Sequence, residues 1–151
     1  MDLNMASSAD HLSAQELETL STKAISAKDV AYCPYSKFRV GACVLTQTGE
    51  YFHGANVENA AYPVGTCAER VALGTAVVAG HRDFKAIAVA TDIEPAASPC
   101  GMCRQFIREF CSSSIPIFMY DGQGNFTMKT IGELLPDSFG PDDLPGATKQ
   151  S

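Results

Sequence analysis

Two short segments far apart in the chain carry most of the constraint on its fold. Cys67-Ala68-Glu69 is answered downstream by Pro99-Cys100-Gly101-Met102-Cys103. The three thiols can close on one metal ion only if the fold brings the segments together. Zinc with three protein ligands keeps a fourth position for water, whereas structural sites fill all four with protein atoms. Cys100 and Cys103 stand three apart at a predicted helix start, so their side chains share one face. Cys67 also sits at a predicted helix start. Helix N-termini favour anions and lower thiol pKa, which suits thiolate ligands. A four-cysteine ribbon would need a second C-x-x-C, and the chain has none.

Glu69 stands two residues from Cys67, so it does not share that ligand's direction on a helix. This favours a second role beside the metal: a carboxylate that takes a proton and delivers it elsewhere. Three thiolates and Zn²⁺ sum to about −1. A guanidinium at Arg70 would draw off some of that charge through charge-assisted hydrogen bonds. A cysteine first ligand, a following C-x-x-C and a non-ligand glutamate form the pattern of zinc-dependent base deaminases. Cys33, Cys43 and Cys111 lack ligand spacing and are assigned to packing. His11, His53 and His81 fall outside any zinc motif.

At 151 residues the chain is long enough for a single core. The domain is expected over 13–145, with tails at 1–12 and 146–151. The net charge of −6 argues against a nucleic-acid surface, which normally carries a basic stripe. No apolar run approaches a membrane span, and residues 1–10 lack the basic start of a signal peptide. The six cysteines therefore suit a metal site in the reducing cytoplasm better than a disulfide framework. A chain this small would also reach the nucleus by diffusion.

Ser13-Ala14-Gln15-Glu16 reads as a capping box. Leu17, Leu20, Ala24 and Ala27 follow at helical spacing, predicting a helix to about Val30. Strands are predicted over Phe38 to Leu45 and Tyr51 to Ala55, around Thr48-Gly49. A helix is predicted over Thr66 to Val78, a strand over Phe84 to Thr91, and a helix from Pro99 with Ser98 as its cap. Ile115 to Tyr120 and Phe126 to Met128 read as final strands. Interleaved strands and helices indicate an α/β layered domain.

With these residues in hand, the chain resembles the small, homotetrameric, zinc-dependent cytidine deaminases of pyrimidine salvage. The similarity takes in Ala31-Tyr32-Cys33-Pro34-Tyr35-Ser36, Phe38, Val40-Gly41-Ala42, Gly54-Ala55-Asn56-Val57-Glu58-Asn59-Ala60 and Tyr62-Pro63. It continues through both cysteine segments to Leu134-Leu135-Pro136 and Ser138-Phe139-Gly140-Pro141. The resemblance implies a three-layer α-β-α fold with a five-stranded mixed sheet and one zinc per chain on Cys67, Cys100 and Cys103. It implies Glu69 as the catalytic proton carrier. It implies hydrolytic deamination of cytidine and 2′-deoxycytidine. Asn56 and Glu58 would bind ribose hydroxyls, which suits two side chains that point the same way from an extended segment. Phe38 would lie against the pyrimidine, the backbone N–H of Ala68 would hold the base carbonyl, and Tyr62 would lie near the pocket. Phe139 would reach a neighbouring subunit's site. The substrate would be a free nucleoside, with no nucleic-acid or membrane partner.

Overall fold

The computed structural model describes residues 11–147 and Gln150. The tails expected at 1–12 and 146–151 lie largely outside the described residues. Helix α1 spans Ala14–Ala27 and opens on the expected capping box: Glu16 N–H donates to Ser13 Oγ at 3.1 Å, and Ser13 N–H to Glu16 Oε2 at 2.9 Å. A 3₁₀ turn, Lys28–Val30, completes it. The strands are β1 (Val40–Thr46), β2 (Tyr51–Ala55), β3 (Phe84–Thr91), β4 (Pro116–Tyr120) and β5 (Phe126–Thr130). Helix α2 (Ala68–Val78) lies between β2 and β3, and α3 (Gly101–Phe110) between β3 and β4. A short α4 (Ile131–Leu134) follows β5.

The strands form one sheet in the order β2-β1-β3-β4-β5. Only β3 and β4 are parallel, and the other pairs are antiparallel. A parallel pair needs a crossover, which α3 provides. Alternation along the strands divides the core. Val44, Ile87, Val89, Ile117 and Met119 face Ala72 and Leu73 of α2 and Ile107 of α3. Cys43, Leu45, Ala86, Ala88 and Ala90 face Leu20 and Ala24 of α1. The result is the expected three-layer α-β-α arrangement about a five-stranded mixed sheet.

Two glycines set how closely the layers approach. A Cβ on Gly41 would fall 2.1 Å from Ala24 O, and one on Gly54 would fall 2.5 Å from Ala72 N and 2.9 Å from Ala68 O. The first closeness seats α1 on β1. The second seats the start of α2 on β2.

Several boundaries differ from expectation. Phe38 and Arg39 precede β1, because Asn56 Nδ2 donates to Phe38 O at 2.8 Å and takes that carbonyl out of the ladder. Helix α2 starts two residues later than the predicted Thr66. Thr66 and Val57 exchange both backbone hydrogen bonds, at 2.8 and 2.9 Å, which fixes Thr66 in an extended bridge. Pro99 is not in the first turn of α3, and Ser98 is not its cap. Cys100 holds the cap position, while the Ser98 hydroxyl and the Pro99 carbonyl both accept from Arg104 at 2.7 Å. The last strand continues to Thr130, whose capping box with Glu133 starts the unanticipated α4.

Candidate active site

Both cysteine segments arrive at helix N-termini. Cys67 caps α2 with φ −76° and ψ 154°, and Cys100 caps α3 with φ −65° and ψ 166°. The backbone is extended at each cap, and neither sulfur takes a capping hydrogen bond. Cys103 lies in the first turn of α3 and is fully buried. The three Sγ atoms lie within 4.8 Å of one another, with Cys67 and Cys100 separated by 3.8 Å. Two sulfurs bonded at about 2.3 Å to one tetrahedral zinc stand about 3.8 Å apart. Soft thiolates are also the donors that select zinc. The cluster therefore fits the ion, and Cys67, Cys100 and Cys103 are placed to hold it.

Charge around the sulfurs is unevenly distributed. The Cys67 thiol is lowered to about 5, chiefly because its thiolate accepts from the Cys103 thiol, with help from Arg70 and Cys100. That same bond, together with burial, pushes Cys103 well above the ordinary thiol range. Arg70 Nη2 donates to Cys67 Sγ at 3.5 Å, and its Nε is buried without a hydrogen-bond partner. Its guanidinium thus reaches the cluster through Nη2. Glu69 is 5% exposed, and burial raises its carboxyl above the ordinary range.

The cluster opens on a cavity of about 780 Å³. Cys67, Cys100, Glu69 and Arg70 line it beside the C-terminal end of β3, represented by Val89 and Thr91. Ligands in open α/β sheets characteristically bind outside the carboxyl ends of strands. Phe38, Asn56, Glu58 and Tyr62 line the same cavity. The Tyr62 ring meets that of Tyr35, with centroids 5.6 Å apart. Asn56 Oδ1 accepts from Val40 N–H at 2.9 Å.

Two expected residues stand apart from the cavity wall. Ala68 is fully buried, with its side chain in the core, and does not line the cavity. Phe139 does not line its own chain's cavity and is 60% exposed. Its carbonyl accepts from Gln105 Nε2 at 2.9 Å. Ser36 was not anticipated as part of the site, yet it lines the cavity and donates its hydroxyl to Glu58 Oε1. Its place in Tyr35-Ser36, two residues before Phe38, was the available signal.

The sequence and the fold are similar to those of known proteins. The family model for the cytidine and deoxycytidylate deaminase zinc-binding region matches residues 14–119. A cytidine deaminase of Sporosarcina psychrophila is 45% identical over 135 residues, spanning 89% of this chain and 99% of the relative. A probable cytidine deaminase of Dictyostelium discoideum is 41% identical over 137 residues, spanning 90% and 92%. The crystal structure of cytidine deaminase from Burkholderia pseudomallei superposes with a TM-score of 0.79 at 43% identity, covering 81% of this chain and 98% of that one. The chain belongs to the cytidine and deoxycytidylate deaminase zinc-binding family. Among the described residues no helix is long and apolar enough to cross a membrane.

Proposed function

We propose that this protein hydrolyses cytidine and 2′-deoxycytidine to uridine and 2′-deoxyuridine, releasing ammonia, as a step of pyrimidine salvage in the cytoplasm. The observation that carries the reading is the cavity itself. It joins a three-thiol cluster and a buried carboxyl, Glu69, to the polar pair Asn56 and Glu58. When bound, zinc supplies a Lewis-acid position that acidifies water near neutral pH.

The remaining work falls to side chains. Glu69 accepts the proton of the attacking water and places it on N3 of the cytosine; it then takes the proton of the new C4 hydroxyl and delivers it to the amino group, which leaves as ammonia as the C4 carbonyl forms. Burial raises the Glu69 carboxyl above the ordinary carboxylate range, toward the range in which a group can both accept and return a proton. The Ala68 N–H belongs to the first turn of α2, where N–H groups lack partners within the helix, and it donates to the base carbonyl. Phe38 lies against the pyrimidine face, with Tyr62 beside it. Asn56 and Glu58 bind the sugar hydroxyls. Arg70 draws charge from the Cys67 sulfur.

A phosphorylated sugar is disfavoured, because a carboxylate at Glu58 repels phosphate. The acidic chain also suits a free nucleoside better than a nucleic acid. The assembly is a homotetramer in which Phe139 completes a neighbouring subunit's site. Its exposure on its own chain supports this, since burying a phenylalanine is worth about 1.5–3 kcal/mol.

The test measures ammonia and product nucleoside from zinc-loaded protein given cytidine, 2′-deoxycytidine or cytidine monophosphate. Both nucleosides are expected to turn over and the monophosphate poorly. A folded, zinc-loaded sample inert on both nucleosides overturns the reading.

A further inference from the structure

The segment Tyr35–Phe38 is tied to Glu58 by an unusual concentration of bonds. Ser36 Oγ donates to Glu58 Oε1. Glu58 Oε2 accepts the backbone N–H groups of Tyr35 and Ser36 at 3.0 and 3.2 Å. The Ser36 oxygen also accepts the Phe38 N–H at 3.0 Å. Between them, Lys37 adopts φ 58°, a left-handed conformation uncommon outside glycine. Its N–H donates to Cys33 O at 3.0 Å.

We propose that Ser36 is a positioning residue for ligand binding, its single hydroxyl holding the Glu58 carboxylate and the Phe38 backbone in one fixed relation. A hydroxyl has one donor and two acceptor sites. Here the donor is committed to Glu58 and an acceptor to Phe38. An ionised carboxylate has about four acceptor sites. The loop engages three, leaving about one for a hydroxyl of the ligand. The Ser36 bond is the chief reason that the Glu58 carboxyl lies below its ordinary range, so Glu58 is held as an acceptor. Phe38 is fixed from the other side too, because its carbonyl accepts from Asn56. Both peptide groups of Phe38 are therefore held by side chains of the same cavity, and the sugar end and the base end are adjusted together. This rests on the reading of Asn56 and Glu58 as sugar contacts and Phe38 as the base contact. Glu69 has no part in the network, so loosening it weakens binding more than turnover.

The test compares Ser36→Ala and Ser36→Thr with the parent protein, using calorimetric binding of uridine and steady-state turnover of cytidine. Ser36→Ala is expected to raise both the uridine Kd and the cytidine KM about tenfold, the scale of a hydrogen bond to a charged group. The accompanying fall in kcat is expected to be under about threefold. Ser36→Thr keeps the hydroxyl and is expected to recover most of the binding. In a Glu58→Gln background, Ser36→Ala is expected to add much less than it does alone, since the pair acts as a unit. The proposal is overturned by unchanged Kd and KM in Ser36→Ala, by a loss confined to kcat, by no rescue in Ser36→Thr, or by full additivity with Glu58→Gln. A parent protein that neither binds uridine nor deaminates cytidine overturns the functional reading and this proposal with it. A parent that does both, beside a Ser36→Ala variant that matches it, overturns the Ser36 assignment alone.

Discussion

Replacing Glu69 by glutamine separates proton transfer from everything else that the cavity does. The amide has nearly the shape of the carboxyl and can still form hydrogen bonds, but it cannot accept and return a proton. A positioned acid or base contributes about 10²–10⁴-fold to rate. The structure puts the expected loss at the upper end. Among the described residues lining the cavity, the only other carboxylate is Glu58, already engaged by Tyr35 and Ser36, and there is no histidine. No nearby group can take over. A fall in kcat of about 10⁴ corresponds to roughly 5 kcal/mol in the barrier. Fold and metal should survive, because the thiols are untouched and burial already disfavours the charged carboxylate at this position. The assay is single-turnover and steady-state release of ammonia from cytidine, with zinc measured by mass spectrometry on the same sample. If Glu69→Gln retains kcat within about tenfold of the parent while holding its zinc, Glu69 is not the proton carrier.

Cys100→Ala should lose most of its zinc and melt at lower temperature, since a vacated ligand position weakens a site coupled to folding; full zinc content after dialysis against a chelator would contradict this. Gly54→Ala places a methyl against the backbone of α2, 2.5 Å from Ala72 N. Overpacking of this kind costs about 1–3 kcal/mol, and urea unfolding should show a loss near the upper figure, whereas an unchanged midpoint would mean that α2 can shift freely. Asp92 is lowered from 3.8, first by Arg39 and then by Lys28. A depressed carboxyl contributes stability that is present above its unfolded pKa and lost as pH falls through the folded one. Asp92→Asn should therefore be less stable than the parent at neutral pH, with the gap closing below about pH 4; a gap independent of pH would remove the ion pairs as its cause.

How much of this could be read from the sequence depended on whether the cause was local. The Ser13–Glu16 box and the start of α1 follow from four adjacent residues, and both were legible. The three ligands were legible because their spacing has so few other uses. The strand order was not, since β1 lies between β2 and β3 through pairings that no local pattern specifies. The misplaced helix starts share one cause. Thr66, read as helical, is bridged to Val57, and Ser98, read as a cap, instead accepts from Arg104 within α3, so each is held outside its helix by a partner that its immediate neighbours do not reveal. Ser36 escaped notice for the same reason. Its neighbours mark a break between elements, while its function comes from Glu58, 22 positions away.

The helix starts also explain why this cluster can be both rigid and reactive. Two helices open conventionally, on Ser13 and Thr130, each with a complete capping box. The two that carry the thiols open on Cys67 and Cys100, whose sulfurs take no capping hydrogen bond. Replacing a good cap by a poor one costs a helix about 1 kcal/mol, so these positions are unfavourable for the helices alone. What they supply is a sulfur at the helix N-terminus, where the dipole favours a thiolate. The helices are then secured from elsewhere. Gly54 lets α2 settle against β2, and Arg104 ties the start of α3 to Ser98, Pro99 and the Leu134 carbonyl, the last at 2.6 Å. The helices that carry the thiols are thus secured largely through Gly54, Pro99 and Leu134, none of which lines the cavity, while Cys67 and Cys100 stand on its wall.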